Sequence, residues 1–224
     1  MNIRDVLQDI EFLLQPQIPH LEIRSISFNS KKVQNDSLFV AISGGQFDGH
    51  QYIEDAINRG AVAIVGEKEM KSPLPVPYFR VRNSRESLAK LSSNFYHNPS
   101  KKHMMIGVTG TNGKTTTTFI LKHLFEEQGL SCTMIGSVMN IINGENRPSI
   151  ATTPDSLELN RILSESNDDV VIMEVSSHAL AQARVEGLAF DACLFTNLSH
   201  DHLFSMLQQK KVNSLSLSHL RKRK

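Results

Sequence analysis

Met104-Met105-Ile106-Gly107-Val108-Thr109-Gly110-Thr111-Asn112-Gly113-Lys114-Thr115-Thr116 is the stretch that decides the fold. An apolar strand runs into a glycine-rich turn, then Lys-Thr, then a segment with helical apolar spacing. Phosphate binding needs this order. Glycines let backbone N–H groups close in on phosphate oxygens, and a helix N-terminus adds partial positive charge. Lys114 is placed to reach β- and γ-phosphates, and the Thr115 hydroxyl to ligate Mg²⁺. The spacing departs from Gly-x-x-x-x-Gly-Lys, because position 108 is Val108 and the glycines stand at Gly110 and Gly113. A glycine-rich turn with a chance lysine is the bland alternative. The agreement of strand, loop, Lys-Thr and helix argues against it.

Working outward, residues 100–203 alternate strand and helix. Strands are predicted at Met105–Thr109, Cys132–Ile135, Val170–Val175 and Ala192–Thr196, and helices at Thr115–Gln128, Ser156–Ser164 and near His178–Gln182. The nearly continuous apolar runs suit strands covered on both faces of a parallel sheet. The fold class is therefore α/β: a small N-terminal α/β domain, then a P-loop-type central domain with a mostly parallel sheet. In residues 1–99 the spacing predicts a helix over Ile3–Leu14, with Val6, Leu7, Ile10, Leu13 and Leu14 on one side. Strands are expected at Ile23–Phe28, Ser37–Ile42, Ala61–Val65 and Tyr78–Val81. Helices are expected at Gln51–Arg59 and from a Ser84 cap to Tyr96, with Glu86 in its first turn. The three prolines of Ser72–Pro77 require a loop. Asn98-Pro99-Ser100 breaks the chain, and the domain boundary is placed there.

The composition is that of an ordinary soluble protein: 224 residues, 40% hydrophobic, 21% charged, formal net charge +1. This gives no global reason to expect nucleic acid or membrane as a partner. No apolar run approaches the ~20 residues of a membrane span, and Met1-Asn2-Ile3-Arg4-Asp5 has no signal pattern. A cytoplasmic monomer is expected. Cys132 and Cys193 each lie in an apolar stretch and read as reduced core thiols. The charge is uneven. Residues 204–224 hold six Lys/Arg and no acid, leaving 18 basic and 23 acidic residues elsewhere, a net of −5.

Thr109–Thr116, T-G-T-N-G-K-T-T, resembles the nucleotide loop of the Mur ligase family, which phosphorylates a carboxylate with ATP and joins it to an amine. Folylpolyglutamate and cyanophycin synthetases carry related loops. Four further segments narrow the resemblance: Ala151-Thr152-Thr153-Pro154-Asp155, Glu174-Val175-Ser176-Ser177-His178-Ala179-Leu180, Gln182-Ala183-Arg184-Val185 and Thr196-Asn197-Leu198-Ser199-His200-Asp201-His202-Leu203. Together they look like the MurE type, which adds the third residue of the peptidoglycan stem peptide, over about residues 20–203. They argue against a folate-type ligase. The resemblance implies ATP and Mg²⁺ as cofactors, with Gly110, Thr111, Asn112, Gly113, Lys114, Thr115 and Thr116 at the nucleotide. It implies Thr115, Glu174 and His200 around magnesium, with Lys114, Glu174 and His200 catalytic. In an open α/β sheet, ligands bind beyond the strands' carboxyl ends, so the loop, Glu174 and His200 are expected on one rim. Taken alone, Glu174 would read as a solvated strand end and His200 as a capping or core histidine. The phosphate loop shifts both readings to function.

The resemblance also carries Thr152, Thr153, Ser176, Gln182 and Arg184 to a UDP-MurNAc-dipeptide site. Arg184 suits a carboxylate or phosphate, since its fork pairs two oxygens; a surface arginine is the alternative. Residues 25–39 resemble the family's uridine-binding segment, with Ser30 retained. Asn29-Ser30-Lys31 stands where the family shows Asp-Ser-Arg, which removes an acid–arginine pair. Gly45-Gln46-Phe47 resembles another UDP contact, or is a loop without a ligand. The incoming amino acid would be diaminopimelate or lysine.

The resemblance stops after Leu203. Family members continue with Asp, an aromatic residue and His-Gly toward a carbamylated lysine, whose place here falls near Ser216, and then a third domain. Residues 204–224 are accordingly expected to be an aberrant basic tail, from a truncated or out-of-frame ending, on an inactive chain. The alternatives are a nucleic-acid arm for the tail, and a non-catalytic nucleotide- or UDP-sugar-binding remnant for the whole chain.

Overall fold

The structure is a computed structural model and describes residues 1–14, 17–44 and 47–199. It divides into two compact units between Phe95 and Tyr96. That division falls ahead of the Asn98-Pro99-Ser100 break. His97 and Asn98 both adopt left-handed backbone, and Pro99 opens a 3-10 turn at Pro99–Lys102.

The first unit is built on a four-stranded parallel sheet in chain order, β1 (Ser25–Ser27), β2 (Ser37–Val40), β3 (Ala61–Gly66) and β4 (Tyr78–Arg80). The opening helix α1 covers only Ile3–Val6, not Ile3–Leu14. Asp9 takes a left-handed conformation, and the chain turns to lay Phe12 antiparallel beside Val81. Val6, Leu7 and Ile10 are buried as their spacing demands, whereas Leu13 and Leu14 are exposed. The left-handed aspartate ends the helix early, and the apolar spacing holds only as far as Ile10. A 3-10 turn at Gly49–Tyr52 leads into α2 (Ile53–Asn58). Val33, Phe39, Ala41, Ile53, Ala56, Ala61 and Ile64 form the core that seats this helix. Helix α3 spans Ser84–Phe95. Its cap is Asn83, not Ser84: Asn83 Oδ1 accepts from Arg85 N at 3.0 Å and Glu86 N at 3.3 Å. Ser84 is taken by another carboxylate, and both its N and Oγ donate to Glu67 Oε1 at 2.7 Å.

The second unit carries a mixed six-stranded sheet in the order β10-β5-β9-β6-β7-β8. Strands β5 (Met104–Thr109), β6 (Cys132–Ile135), β9 (Val170–Glu174) and β10 (Ala192–Phe195) run parallel. Helices α4 (Lys114–Glu127) and α5 (Ser156–Glu165) make crossovers, and a short α6 (Ser177–Ala181) follows β9. The remaining two strands, β7 (Met139–Ile142) and β8 (Glu145–Pro148), form an antiparallel hairpin that the reading above lacks. Its turn is Asn143-Gly144, both at positive φ, which is the chemistry a two-residue hairpin turn requires. Met105, Ile135, Leu159, Leu163, Val171 and Met173 anchor the larger core of this unit. Cys132 is buried, and burial pushes its thiol up to about 11. Cys193, expected in the core, is exposed on β10, which lies at one edge of the sheet among the described residues.

Candidate functional site

Parallel order sends the carboxyl ends of β10, β5, β9 and β6 to one rim. Register makes the alignment close: Val108 stands opposite Glu174, Thr109 opposite Phe195 and Ile135 opposite Met173. The segment after each strand is polar, and these four segments build the site.

The phosphate loop follows β5. Gly110 has φ +136, and a Cβ there would collide with the Thr196 hydroxyl. Gly113 has φ +82 and precedes α4. Both positions need glycine's left-handed freedom. The segment after β10 stitches the loop in place. Thr111 N donates to Asn197 O at 2.9 Å, Asn112 N to Asn197 Oδ1 at 3.0 Å, and the Thr196 hydroxyl to Asn112 O at 2.7 Å. Ser199 N donates to the Thr111 hydroxyl at 3.1 Å. Lys114 Nζ folds back on its own loop, donating to Gly110 O at 2.8 Å and Thr111 O at 3.0 Å. These carbonyls hold an ammonium where a phosphate-binding loop would carry it.

Glu174 ends β9 and is 1% exposed, so it is no solvated strand end. Its Oε1 accepts from the Thr115 hydroxyl at 2.9 Å and from Ser137 N at 2.9 Å; its Oε2 lies 3.0 Å from Ser137 Oγ. A buried carboxylate is tolerated only with such partners. Gly136 is glycine because a Cβ there would run into that carboxylate. Ser137 was missed in the sequence. The signal was present: Gly136-Ser137 directly follows β6, on the rim where the strand-end rule places ligands.

A second set of side chains adjoins the first. The Thr153 hydroxyl donates to Glu174 O at 2.8 Å and accepts from Ser176 N at 3.0 Å. The Ser176 side chain caps α6, accepting from Ala179 N. Arg184 Nη1 donates to Thr153 O at 2.6 Å, and Nε and Nη2 both donate to Gln182 Oε1, at 3.1 and 2.8 Å. Thr152 Oγ1 lies 3.0 Å from Ser137 Oγ. Thr152, Thr153, Ser176, Gln182 and Arg184 thus form one cluster that touches Glu174 through Ser137 and Thr153. Thr116 lies in the first turn of α4. His200 lies outside the described residues.

Magnesium prefers hard oxygen ligands and is commonly held by one or two carboxylates plus substrate phosphates. The hydroxyl of Thr115 and the carboxylate of Glu174, 2.9 Å apart beside the phosphate loop, fit that donor set. Among the described residues no three His, Cys, Asp or Glu side chains cluster as a protein-only metal cage.

The first unit holds a separate cleft of about 860 Å³. Phe28, Phe39, Phe47 and Tyr52 give it aromatic walls, and Asn29, Ser30, Lys31 and Arg85 supply polar groups. Asn29 Oδ1 accepts from Lys31 N at 3.0 Å and caps the 3-10 turn Ser30–Lys32. Asparagine therefore does the backbone work here without an acid. Ser30 is buried, and its hydrogen bond is the foremost cause holding the Asp55 carboxyl below its ordinary range. Phe47 is 73% exposed at the cleft. Gly45 and Gln46 lie outside the described residues.

A mixed α/β sheet whose central strands run parallel, with a glycine-rich loop and Lys-Thr at a helix start, has the form of a phosphate-binding unit. The Mur ligase middle domain profile matches residues 108–210, and the profile of the Mur ligase family catalytic domain matches residues 22–96. The chain belongs to the Mur ligase family. It is 39% identical over 209 residues to the UDP-N-acetylmuramoyl-L-alanyl-D-glutamate–2,6-diaminopimelate ligase of Clostridium tetani, covering 91% of this chain and 43% of that protein. A solved structure of a ligase of that name superimposes with a TM-score of 0.77 at 24% identity, covering 95% of this chain and 44% of the other. The MurF ligase of Thermotoga maritima, solved in complex with ADP, gives 0.60 at 25% identity, covering 89% and 44%. The chain spans less than half the length of the curated relatives it matches. No helix among the described residues is long and apolar enough to cross a membrane.

Proposed function

We propose that this chain carries the ATP- and substrate-binding residues of a ligase that adds the third amino acid to UDP-MurNAc-L-Ala-D-Glu, in the cytoplasm. The observation that carries the reading is the 2.9 Å contact between Thr115 and buried Glu174, beside a loop whose lysine rests on its own carbonyls. Relatives named for 2,6-diaminopimelate favour that amino acid over lysine. They also weigh against a folylpolyglutamate-type substrate.

Each unit has its own part. In the first, the aromatic-walled cleft with Ser30 would take the uracil and ribose end of the UDP-sugar. In the second, Gly110–Gly113 would present backbone N–H groups to phosphates. Lys114 would exchange the Gly110 and Thr111 carbonyls for β- and γ-phosphate oxygens. Thr115 and Glu174 would hold magnesium, which supplies positive charge at the phosphate oxygens when bound. Arg184, held by Gln182 and Thr153, is placed to pair with a substrate carboxylate. The D-glutamyl carboxylate attacks the γ-phosphorus, the bond to ADP breaks, and an acyl phosphate results. The amine then displaces inorganic phosphate and loses a proton. Such phosphoryl transfer is mostly positioning and charge stabilisation.

Calorimetry with ADP on the parent chain and on Lys114→Ala tests the reading. Charged hydrogen bonds contribute about 1.5–3 kcal/mol each, so the variant is expected to bind at least about tenfold more weakly. Equal affinity would remove Lys114 from the site and overturn the reading.

A further inference from the structure

Ser137 Oγ lies 3.0 Å from Glu174 Oε2 and 3.0 Å from Thr152 Oγ1. A serine hydroxyl carries one proton. It therefore serves one of these two acceptors at a time, or is divided between them. Its backbone N–H is separately committed to Glu174 Oε1 at 2.9 Å, the same oxygen that accepts from Thr115. The Ser137 proton is thus the adjustable contact in an otherwise fixed carboxylate cradle, and its second acceptor belongs to the cluster assigned to the UDP-sugar peptide.

We propose that Ser137 is a positioning residue that couples occupancy of the Thr152 cluster to metal–nucleotide binding at Thr115 and Glu174. The proposal rests on the assignment of those two sites made above. A substrate N–H or O–H that donates to Thr152 Oγ1 competes with the Ser137 proton for that oxygen. The Ser137 proton then goes wholly to Glu174 Oε2, and the carboxylate is fixed with Oε1 toward Thr115. A buried carboxylate fixed in advance loses less freedom on taking up a metal–nucleotide complex, so the second ligand binds more tightly. By linkage, the nucleotide must raise substrate affinity by the same factor. Ser137 needs no contact with the reacting atoms for this.

The test is calorimetry of Mg·ADP on the full chain, with and without saturating UDP-MurNAc-L-Ala-D-Glu. The parent is expected to bind Mg·ADP at least about fivefold more tightly in the presence of the UDP-sugar, the lower end of ordinary coupling. Ser137→Ala keeps the backbone N–H bond and removes only the hydroxyl. It should bind both ligands separately, with the coupling factor reduced to less than about twofold. Ser137→Thr should restore it. Thermal unfolding of each variant, matched to the parent, shows that the fold is intact. Parental coupling in Ser137→Ala overturns the proposal, as does a parent that binds both ligands without coupling. A parent that binds no Mg·ADP overturns the underlying site assignment, and the relay falls with it. Ser137→Ala that unfolds while Ser137→Thr folds but lacks coupling also contradicts the relay.

Discussion

The two units use polar groups differently. In the first, Asn29 turns its amide oxygen to the backbone, and the cleft sets the aromatic rings of Phe28, Phe39, Phe47 and Tyr52 beside Ser30, Lys31 and Arg85. In the second, Thr115 and Ser137 bond one buried carboxylate, and Thr152, Thr153 and Ser176 join that cradle through Ser137 and the Glu174 backbone carbonyl. The first arrangement sets flat aromatic walls beside two cationic side chains. The second suits charge. In a low-dielectric setting charged groups interact far more strongly than in water, and an unpaired one is correspondingly costly. A fault in the second unit should therefore cost more than a comparable fault in the first.

The largest effect is expected at Gly110. Gly110→Ala places a Cβ against the Thr196 hydroxyl at φ +136. Strain of this kind costs about 1–3 kcal/mol, and the displaced loop should lose ADP binding altogether. Gly113→Ala, with open space around its Cβ, should cost less in urea unfolding. If Gly110→Ala matched Gly113→Ala in both stability and ADP affinity, the stitched-loop description would be wrong.

A smaller effect is expected in the first unit. Ser30→Ala removes one neutral hydroxyl from the cleft, so UDP affinity should fall by about three- to tenfold, the worth of one neutral hydrogen bond. The same change removes the foremost cause of the lowered Asp55 pKa. NMR titration should show Asp55 moving up toward the ordinary carboxylate range. An Asp55 that does not move, with unchanged UDP affinity, would take Ser30 out of both roles.

What the sequence disclosed follows the same division. The phosphate loop and the strands β5, β6, β9 and β10 were legible because continuous apolar runs and a glycine-rich turn before Lys-Thr have few other solutions. Glu174 was legible as acidic at a strand end, but its burial was not, since that depends on Ser137 and Thr115 arriving from other strands. The β7–β8 hairpin is signalled only by its Asn143-Gly144 turn. Its strands are short, and Glu145, Asn146 and Arg147 on β8 carry no apolar alternation. The α1 helix is shorter than its apolar spacing predicts because spacing does not reveal a left-handed aspartate. Cys193 was misplaced because a strand's apolar composition does not say whether it lies at the edge of its sheet.

The contact between Thr115 and Glu174 is the centre of this account, and the magnesium dependence of ADP binding tests it most directly. Glu174→Gln keeps the shape and a hydrogen-bonding oxygen but removes the charge. In the parent, magnesium should tighten ADP binding. In Glu174→Gln, ADP should bind without magnesium as it does to the parent, and adding magnesium should bring no gain. A variant whose affinity rises with magnesium as much as the parent's would contradict the assignment of Glu174 to the metal.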